Sequence, residues 1–292
     1  MGLGGILADR PAGRTGKVNP MKRRDVRAFT LVEIVVVLAT ILLLTALLMP
    51  ALARARSEAR EIVCRSNLHQ LVLANSAYAA ESGGFYVAAA SDLWASAGLC
   101  RWHGVRSSLD EPFDPRAGPL AGYLGDGQVK ECPLRVVFTK GQPWSRNFEQ
   151  GGGGYGYNLM YLGSRLWEAS TDAESAPRRA YTHTTAVTEV KNPGQTLMFA
   201  DAAMAKNGCE LIEYSFAEPP FAVFGGQVMT DFRMSPSIHF RHADRANVGW
   251  ADGHTGSQSL APLDLANVYG VNSSALGLGW FAPVDNTPFD LR

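Results

Sequence analysis

One apolar segment near the N-terminus constrains this chain more than any other feature. From Ile34 to Met49 no residue is charged, and only two threonines interrupt the apolar run. Counted from Phe29, the segment has 21 residues, which at about 1.5 Å per residue spans roughly 30 Å, the thickness of the hydrocarbon core of a bilayer. The sequence therefore predicts a transmembrane helix over residues 29–49, with the lipid bilayer as a partner.

The residues around the start of this segment are unusual for a plain membrane anchor. One ionisable residue, Glu33, lies within the segment. A carboxylate inside a membrane costs on the order of 2.5–3.5 kcal/mol, so Glu33 needs a partner. A signal peptide or a plain anchor would not explain this glutamate, and no small-residue cleavage site follows the apolar run. Four basic residues and one acid precede it, namely Lys22, Arg23, Arg24, Asp25 and Arg27.

With its basic leader, the segment Ala28-Phe29-Thr30-Leu31-Val32-Glu33 resembles the N-terminal processing and methylation motif of type IV prepilins and type II secretion pseudopilins. The resemblance implies that a prepilin peptidase cuts between Ala28 and Phe29, and that the new Phe29 amine is methylated. Glycine usually precedes the cut in this family, and alanine is another small residue. After the cut, Glu33 and Pro50 become the fifth and twenty-second residues, which are the positions of the family's glutamate and of a common helix-breaking proline.

The same resemblance implies a structural protein and not an enzyme. The chain would assemble with other pilin or pseudopilin subunits through its N-terminal helix, in a type IV pilus or a type II secretion pseudopilus. Glu33 would then pair with the Phe29 amine of a neighbouring subunit, which offsets the cost of burying both charges and sets the axial register. The alternative is a monomeric, membrane-tethered exported domain that binds a ligand or glycan and does not polymerise.

Charge is unevenly distributed along the chain. Residues 1–28 carry seven basic and two acidic groups, which leaves 20 basic and 25 acidic residues in the remainder. By the positive-inside rule, the N-terminus lies in the cytoplasm and the bulk lies on the far side of the cytoplasmic (inner) membrane, in the periplasm or outside the cell. The mildly acidic remainder argues against a nucleic-acid partner.

Hydrophobic periodicity predicts an α+β fold with a pilin-like plan. Apolar residues after Pro50 recur with a helical period, and Ser82-Gly83-Gly84 ends the pattern. No βαβ alternation follows, so we predict that the outer half of the helix packs on an antiparallel sheet. The predicted strands are 181–190, 196–200, 237–241 and 246–251. The predicted segments are a leader (1–28, with Met21 as the predicted initiator), a transmembrane helix (29–49), its amphipathic continuation (50–81) and an extracytoplasmic globular domain (82–292).

His242, Asp252 and Gly253 form a His-x9-Asp-Gly motif, which resembles a motif near the C-terminus of a subfamily of prepilin-like proteins. If the strands on either side of the intervening turn form a hairpin, the two ends of the motif lie roughly 20 Å apart. We therefore predict two turns instead of a reaction centre. Asp252-Gly253 would form a turn with glycine at positive φ, and His242 would cap its own turn or pack on Trp250.

The cysteines leave several interpretations open. The predicted compartment permits disulfides, and no C-x-x-C pair points to a zinc site of that type. Four cysteines allow three connectivities, and free buried thiols are the alternative. They are Cys64, Cys100, Cys132 and Cys209.

No catalytic residue and no cofactor is predicted. Calcium is the most credible small ligand, with Asp201, Asp244 and Asp252 as oxygen donors, although their spacing matches no defined calcium loop. A glycan groove could use the tryptophans, which more often belong to the core of a sheet domain. They are Trp94, Trp102, Trp144, Trp167, Trp250 and Trp280.

The first testable prediction concerns processing. In membranes that contain a prepilin peptidase, the chain should lose residues 1–28 and begin at a methylated Phe29. Intact-mass measurement of the membrane-extracted protein checks this. A chain that still begins at Met21, or one that is cut after the apolar run, would show that the motif is not used.

Overall fold

The computed structural model describes residues 29–93, 98–134, 138, 149–169, 180–206, 210–262, 270 and 272–292. The chain divides into two compact units, residues 1–51 and 52–292. Several residues singled out in the sequence lie outside the described ranges. They are the leader 1–28 with Met21 and Ala28, and also Trp94, Trp144 and Cys209.

One long helix, α1, covers Leu31–Glu81 and contains Pro50. It ends where the sequence predicts, because Gly83 and Gly84 follow with φ values of +67° and +89°. An 18-residue window within it has a mean hydropathy of 2.8 and no buried residue. By length and composition, this helix could therefore cross a membrane.

Short strands and single 3-10 turns make up most of the rest of the described secondary structure, and residues 180–182 are helical. The strands are β1 (Cys100–Arg101), β2 (Gly104–Val105), β3 (Tyr155–Tyr157), β4 (Leu197–Asp201), β5 (Met204–Lys206), β6 (Glu210–Ile212), β7 (Phe221–Phe224), β8 (Gln227–Arg233), β9 (Ile238–His239), β10 (Arg245–Trp250), β11 (Thr255–Ser259) and β12 (Leu278–Gly279). The 3-10 turns are Pro115–Ala117, Ala121–Tyr123, Leu166–Glu168, Val187–Glu189 and Ser274–Leu276.

The largest sheet has four antiparallel strands in the order β11-β10-β4-β3. Four two-stranded antiparallel pairs accompany it, namely β1–β2, β5–β6, β7–β8 and β9–β12. The structure is thus α+β with antiparallel pairing, as the sequence indicates. The predicted strands over 196–200 and 246–251 correspond closely to β4 and β10.

Two strand predictions are wrong in detail. Residues 181–190 contain the 3-10 turn Val187–Glu189 instead of a strand, and the hydroxyls of Thr184 and Thr185 donate to backbone carbonyls of separate loops. The alternation of threonine and valine thus reflects loop contacts and not the two faces of a sheet. The predicted hairpin of 237–241 with 246–251 is also absent. Both edges of β10 are occupied, by β4 and β11, so β9 pairs with β12.

The outer half of α1 packs on the four-stranded sheet. Its buried residues recur at helical spacing over 64–79, which places them on one face. Gly249 of β10 lies directly beneath this face, because a Cβ built on it would come within 2.7 Å of Val72 Cγ2 and 3.5 Å of the Leu68 carbonyl oxygen. Asn75 reaches across to accept a hydrogen bond from the backbone amide of Val87 at 2.9 Å.

Aromatic side chains fill the core beneath this sheet. The rings of Tyr157 and Phe199 stack with centroids 4.7 Å apart, and Trp102 lies 5.0 Å from Phe199. Trp250 and Trp280 are buried as well. The indole nitrogens of Trp102 and Trp280 donate to backbone carbonyl oxygens. Trp102 and Trp280 therefore belong to the core, whereas Trp250 also lines a surface pocket beside β11, together with His254 and Phe281.

The contact between α1 and β10 predicts different costs for two glycine substitutions. Gly249→Ala should destabilise the folded unit by about 1–3 kcal/mol, because the new methyl group meets the buried Val72 side chain. Gly256→Ala, on the adjacent strand, should change stability by less than about 0.5 kcal/mol, since its Cβ would meet only Trp250 Nε1 at 3.5 Å. Thermal melting of the purified full chain in detergent measures both. Equal melting temperatures for the two variants would contradict the close packing of helix on strand.

Candidate functional site

The residues at the start of α1 form a reciprocal capping box. Glu33 Oε2 accepts hydrogen bonds from the Thr30 amide at 2.7 Å and from Thr30 Oγ1 at 2.9 Å. The Glu33 amide donates back to Thr30 Oγ1 at 3.2 Å. This arrangement satisfies free donors at the helix N-terminus and fixes where the helix begins. Glu33 therefore has a local structural partner within its own chain.

The helix residues that follow expose a wholly apolar surface. Within the compact unit 1–51, the large apolar side chains from Leu31 to Met49 are between 47% and 79% exposed. The hydroxyls of Thr40 and Thr45 donate to backbone carbonyls of their own helix, at 2.8 and 2.9 Å. The hydroxyls of Thr40 and Thr45 thus have hydrogen-bond partners within the helix. They can therefore lie in lipid or between packed helices without contact with water.

A second candidate site lies in the interior of the unit 52–292, where four potential metal ligands meet. We call Cys64, Cys132, Asp201 and His242 the buried cluster. One ligand atom from each lies within 4.8 Å of the other three. Their exposed fractions are 0%, 1%, 0% and 2% respectively, so solvent does not reach them.

Each member of the buried cluster comes from a different part of the fold. Cys64 lies on the buried face of α1, and Asp201 is the last residue of β4. Cys132 lies in the loop before β3, and His242 opens the turn that leads from β9 into β10. The packing of α1 on the sheet is therefore what brings the four side chains together.

Distances within the buried cluster are short. Cys64 Sγ lies 3.1 Å from Asp201 Oδ1. His242 Nε2 lies 3.3 Å from Asp201 Oδ2 and 3.6 Å from Cys132 Sγ. Two thiols, one carboxylate and one imidazole nitrogen thus converge on a single small volume.

A shell of further polar groups surrounds the buried cluster. Arg241 Nη2 lies 3.3 Å from Asp201 Oδ1, and this guanidinium is itself buried. The backbone amide of Asn247 donates a hydrogen bond to Asp201 Oδ2 at 2.7 Å. Tyr155 donates its hydroxyl to Cys64 Sγ at 3.4 Å and accepts from Asn67 Nδ2 at 3.2 Å. These contacts orient the carboxylate and one thiol from outside the cluster.

The electrostatic environment separates the acid–base properties of the cluster members. The hydrogen bond from Cys64 lowers the pKa of Cys132 to about 5, against the effect of burial. For Cys64 the opposite holds, because burial is the largest effect and raises the pKa of this thiol. Burial alone would lower the pKa of His242, but hydrogen bonds to Asp201 and Cys132 raise it to about 9. The two groups thus shift in opposite directions, with the pKa of the Cys132 thiol lowered and that of the His242 imidazole raised.

The carboxylate is held ionised by its neighbours. Burial alone would raise the pKa of Asp201, but the positive charge of Arg241 and the hydrogen bond from His242 hold it below its usual range. Removal of Asp201 would leave Arg241 as a buried unpaired charge, which is strongly destabilising. Asp201 thus serves the fold as well as the cluster.

The buried cluster places the side chain of His242 elsewhere than the sequence interpretation expects. The imidazole of His242 neither caps its turn nor packs on Trp250. Only its backbone closes the turn, through hydrogen bonds with Arg245. Asp201 lies with the thiols and the imidazole, whereas Asp252 bonds His254 and Asp244 lies in the turn with φ +61°. The three aspartates proposed for calcium thus have separate surroundings.

Residue spacing gave no indication of this cluster. Successive members lie 41 to 69 positions apart in the sequence, so no short ligand motif of the zinc-finger kind marks them. In the sequence, Cys64 and Cys132 are notable only as possible disulfide partners. The structure has them as free thiols, together with Cys100.

The Asp252-Gly253 turn has the geometry that the sequence predicts. Gly253 has φ +101°, and Asp252 Oδ1 accepts a hydrogen bond from the His254 amide at 3.1 Å. The turn also reaches α1, because His69 Nδ1 lies 2.7 Å from the Gly253 carbonyl oxygen. The two ends of the motif thus occupy separate places, and each contacts the helix region.

His103, Ser215 and Glu149 form a second buried polar group, in which the serine lies between the histidine and the glutamate. In a hydrolase triad the histidine lies in the middle. Ser215 donates its hydroxyl to Glu149 at 2.6 Å, and His103 Nε2 lies 2.8 Å from the same Ser215 oxygen. Glu149 in turn accepts two hydrogen bonds from Arg101. Burial and the neighbouring arginines lower the pKa of His103 to about 3. Because the one hydrogen of the Ser215 hydroxyl is donated to Glu149, His103 Nε2 is placed to donate to the serine oxygen and not to accept its proton as a triad histidine does.

Comparison with protein-family models found no match, and the comparisons with curated proteins and with solved structures found none either. The resemblance of residues 28–33 to a prepilin motif stays a prediction. Function is therefore inferred from the geometry of the helix N-terminus and of the buried cluster.

The turn geometry predicts an order of stability among variants. Gly253→Val should destabilise the chain by about 1–3 kcal/mol, because a β-branched residue is strained at φ +101°. Asp252→Asn should cost less than about 0.5 kcal/mol, since asparagine can accept the same backbone hydrogen bond. Thermal melting of the full chain checks the order. A larger loss for Asp252→Asn than for Gly253→Val would mean that the carboxylate charge matters more than the turn.

Proposed function

We propose that this chain is a prepilin-like structural subunit of the cytoplasmic membrane. In this proposal a prepilin peptidase cuts before Phe29, and the mature chain crosses the membrane once with residues 52–292 outside the cytoplasm. The helix segment 29–49 then associates with the same segment of other subunits. The observation that carries the proposal is the exposed apolar surface of α1 over residues 31–49, which begins directly after the predicted cut.

The exposed apolar surface supports association because it needs an environment other than water. A contiguous exposed apolar surface of this size marks a site that a partner protein or a membrane covers. Lipid can cover it in a single tethered chain, and neighbouring helices can cover it in an assembly. The presence of Glu33 at its start favours assembly, since a carboxylate near lipid needs an opposite charge.

The processed chain would supply that opposite charge. Cleavage before Phe29 creates an amine one residue before Thr30, close to the Glu33 carboxylate. The carboxylate already bonds Thr30, so two explanations of Glu33 compete. A capping role needs only a hydrogen-bond acceptor, whereas pairing with the amine of a neighbouring subunit needs a negative charge.

Three variants separate capping from charge pairing. Glu33→Gln keeps the acceptor for Thr30 but removes the charge, because glutamine also forms capping boxes. Glu33→Ala removes both, and Thr30→Val removes the capping hydroxyl while it keeps the charge. We expect subunit cross-linking to fall about tenfold or more in both Glu33 variants, since a charged hydrogen bond is worth roughly 1.5–3 kcal/mol. Thr30→Val should cross-link almost as well as the unchanged chain.

The measurement uses a photoreactive amino acid in place of Leu42, which is 69% exposed, in membranes of cells that process the chain. Resistance to alkaline extraction controls for membrane insertion, which should be equal in all variants. If Glu33→Gln cross-links as well as the unchanged chain, capping explains the glutamate. If neither the unchanged chain nor any variant cross-links, the chain is a tethered monomer and the proposed assembly is wrong.

A further inference from the structure

The buried cluster has the composition and geometry of a structural metal site. Two thiolates, an imidazole nitrogen and a carboxylate oxygen form a ligand set that suits Zn²⁺ better than calcium or magnesium, which prefer oxygen ligands. All four side chains are at least 98% buried. No position is open to solvent, which is typical of structural zinc and not of catalytic zinc.

Two of the separations within the buried cluster match those of a tetrahedron around such an ion. Zinc bonds of about 2.0–2.3 Å place neighbouring tetrahedral ligand atoms about 3.3–3.8 Å apart. The distances from His242 Nε2 to Asp201 Oδ2 (3.3 Å) and to Cys132 Sγ (3.6 Å) fall in this range. Cys64 Sγ lies 3.1 Å from the other carboxylate oxygen, Asp201 Oδ1, and the four ligand atoms all lie within 4.8 Å of one another. Side-chain shifts of about 1 Å would bring the remaining separations into the tetrahedral range.

Charge and hydrogen bonding around the cluster also fit a zinc ion. Two thiolates and one carboxylate carry three negative charges, of which Zn²⁺ neutralises two. Arg241, buried at 3.3 Å from Asp201 Oδ1, neutralises the third, so the occupied site has no net charge in the interior. The Tyr155 hydroxyl and the Asn247 amide supply hydrogen bonds to ligand atoms, as outer partners of metal ligands do.

We propose that the buried cluster binds one zinc ion through all four of its side chains and thereby fastens α1 to the sheet. The ion would join segments that are far apart in the sequence, so it would stabilise the folded unit as a cross-link does. It also gives His242 a role that a turn does not require. The proposal does not depend on cleavage, membrane topology or assembly of the chain.

A disulfide between Cys64 and Cys132 is the competing use of the same thiols. A disulfide would leave the imidazole and the carboxylate without a role in the bond, whereas zinc uses all four groups. His242→Ala distinguishes the two, because it removes a zinc ligand but neither sulfur. Cys132→Ser removes a ligand with little change in volume.

The test measures zinc in the purified full chain in detergent, by elemental mass spectrometry. We expect about one zinc per chain, and replacement by Co²⁺ under reducing conditions should give the intense visible and near-ultraviolet bands of tetrahedral thiolate cobalt. In His242→Ala and Cys132→Ser the metal affinity should fall more than about 100-fold. His254→Ala, at an exposed histidine, and Cys100→Ser, at a free thiol outside the cluster, are the matched controls and should keep the zinc.

Chelation gives an independent readout on the unchanged chain. Removal of zinc should lower Tm, and re-addition should restore it, because a ligand that binds only the folded state stabilises that state. A reduced wild-type chain that binds neither zinc nor cobalt would overturn the proposal, even if a ligand variant fails to fold. So would zinc that both ligand variants retain, or an intact mass two hydrogens lower with Cys64 and Cys132 joined.

Discussion

The contact between α1 and β10 is the interaction on which the folded unit 52–292 depends. At one end of β10, His242 and Asp201 meet Cys64 of the helix. In the middle, Gly249 lets Val72 approach the strand. At the other end, the carbonyl oxygen of the glycine in the Asp252-Gly253 turn bonds His69. The helix is thus held at three successive levels of one strand, and buried Leu and Val side chains each contribute about 1.5–3 kcal/mol to such a contact.

This arrangement gives the His-x9-Asp-Gly motif a physical meaning. Its two ends flank β10, and both lie next to residues of α1. The motif therefore marks the strand that receives the helix, and its histidine and its glycine act through different contacts. In the proposed zinc site the histidine end would carry the stronger link, because a coordinate bond to a shared ion joins helix, sheet and loop at once.

Sequence reasoning succeeded where the pattern was local. The end of α1 at Glu81, the strands β4 and β10, and the turn at Gly253 each depend on residues within a few positions of one another. It failed where tertiary contacts decide the outcome. Residues 181–190 have the alternation of a strand, but their threonine hydroxyls serve loops, and β9 cannot pair with β10 because two other strands already do.

The candidate sites show the same division. The capping box joins Thr30 to Glu33, three positions on, so the local pattern Thr-x-x-Glu is enough to predict it from the sequence. The buried cluster could not, since its ligands come from one helix, one strand and two loops. Only the packing of α1 on the sheet places Cys64 beside Asp201, and no spacing rule encodes that contact.

The contact between α1 and β10 is tested most directly by hydrogen exchange of the full chain in detergent, followed as denaturant is raised. If α1 and β10 form one cooperative unit, the amides of residues 64–79 should exchange with the same free energy as those of β4 and β10, through global unfolding. If residues 64–79 exchange at much lower denaturant than the two strands, the helix is only loosely attached to the sheet. That result would contradict the dependence of the folded unit on the contact between α1 and β10.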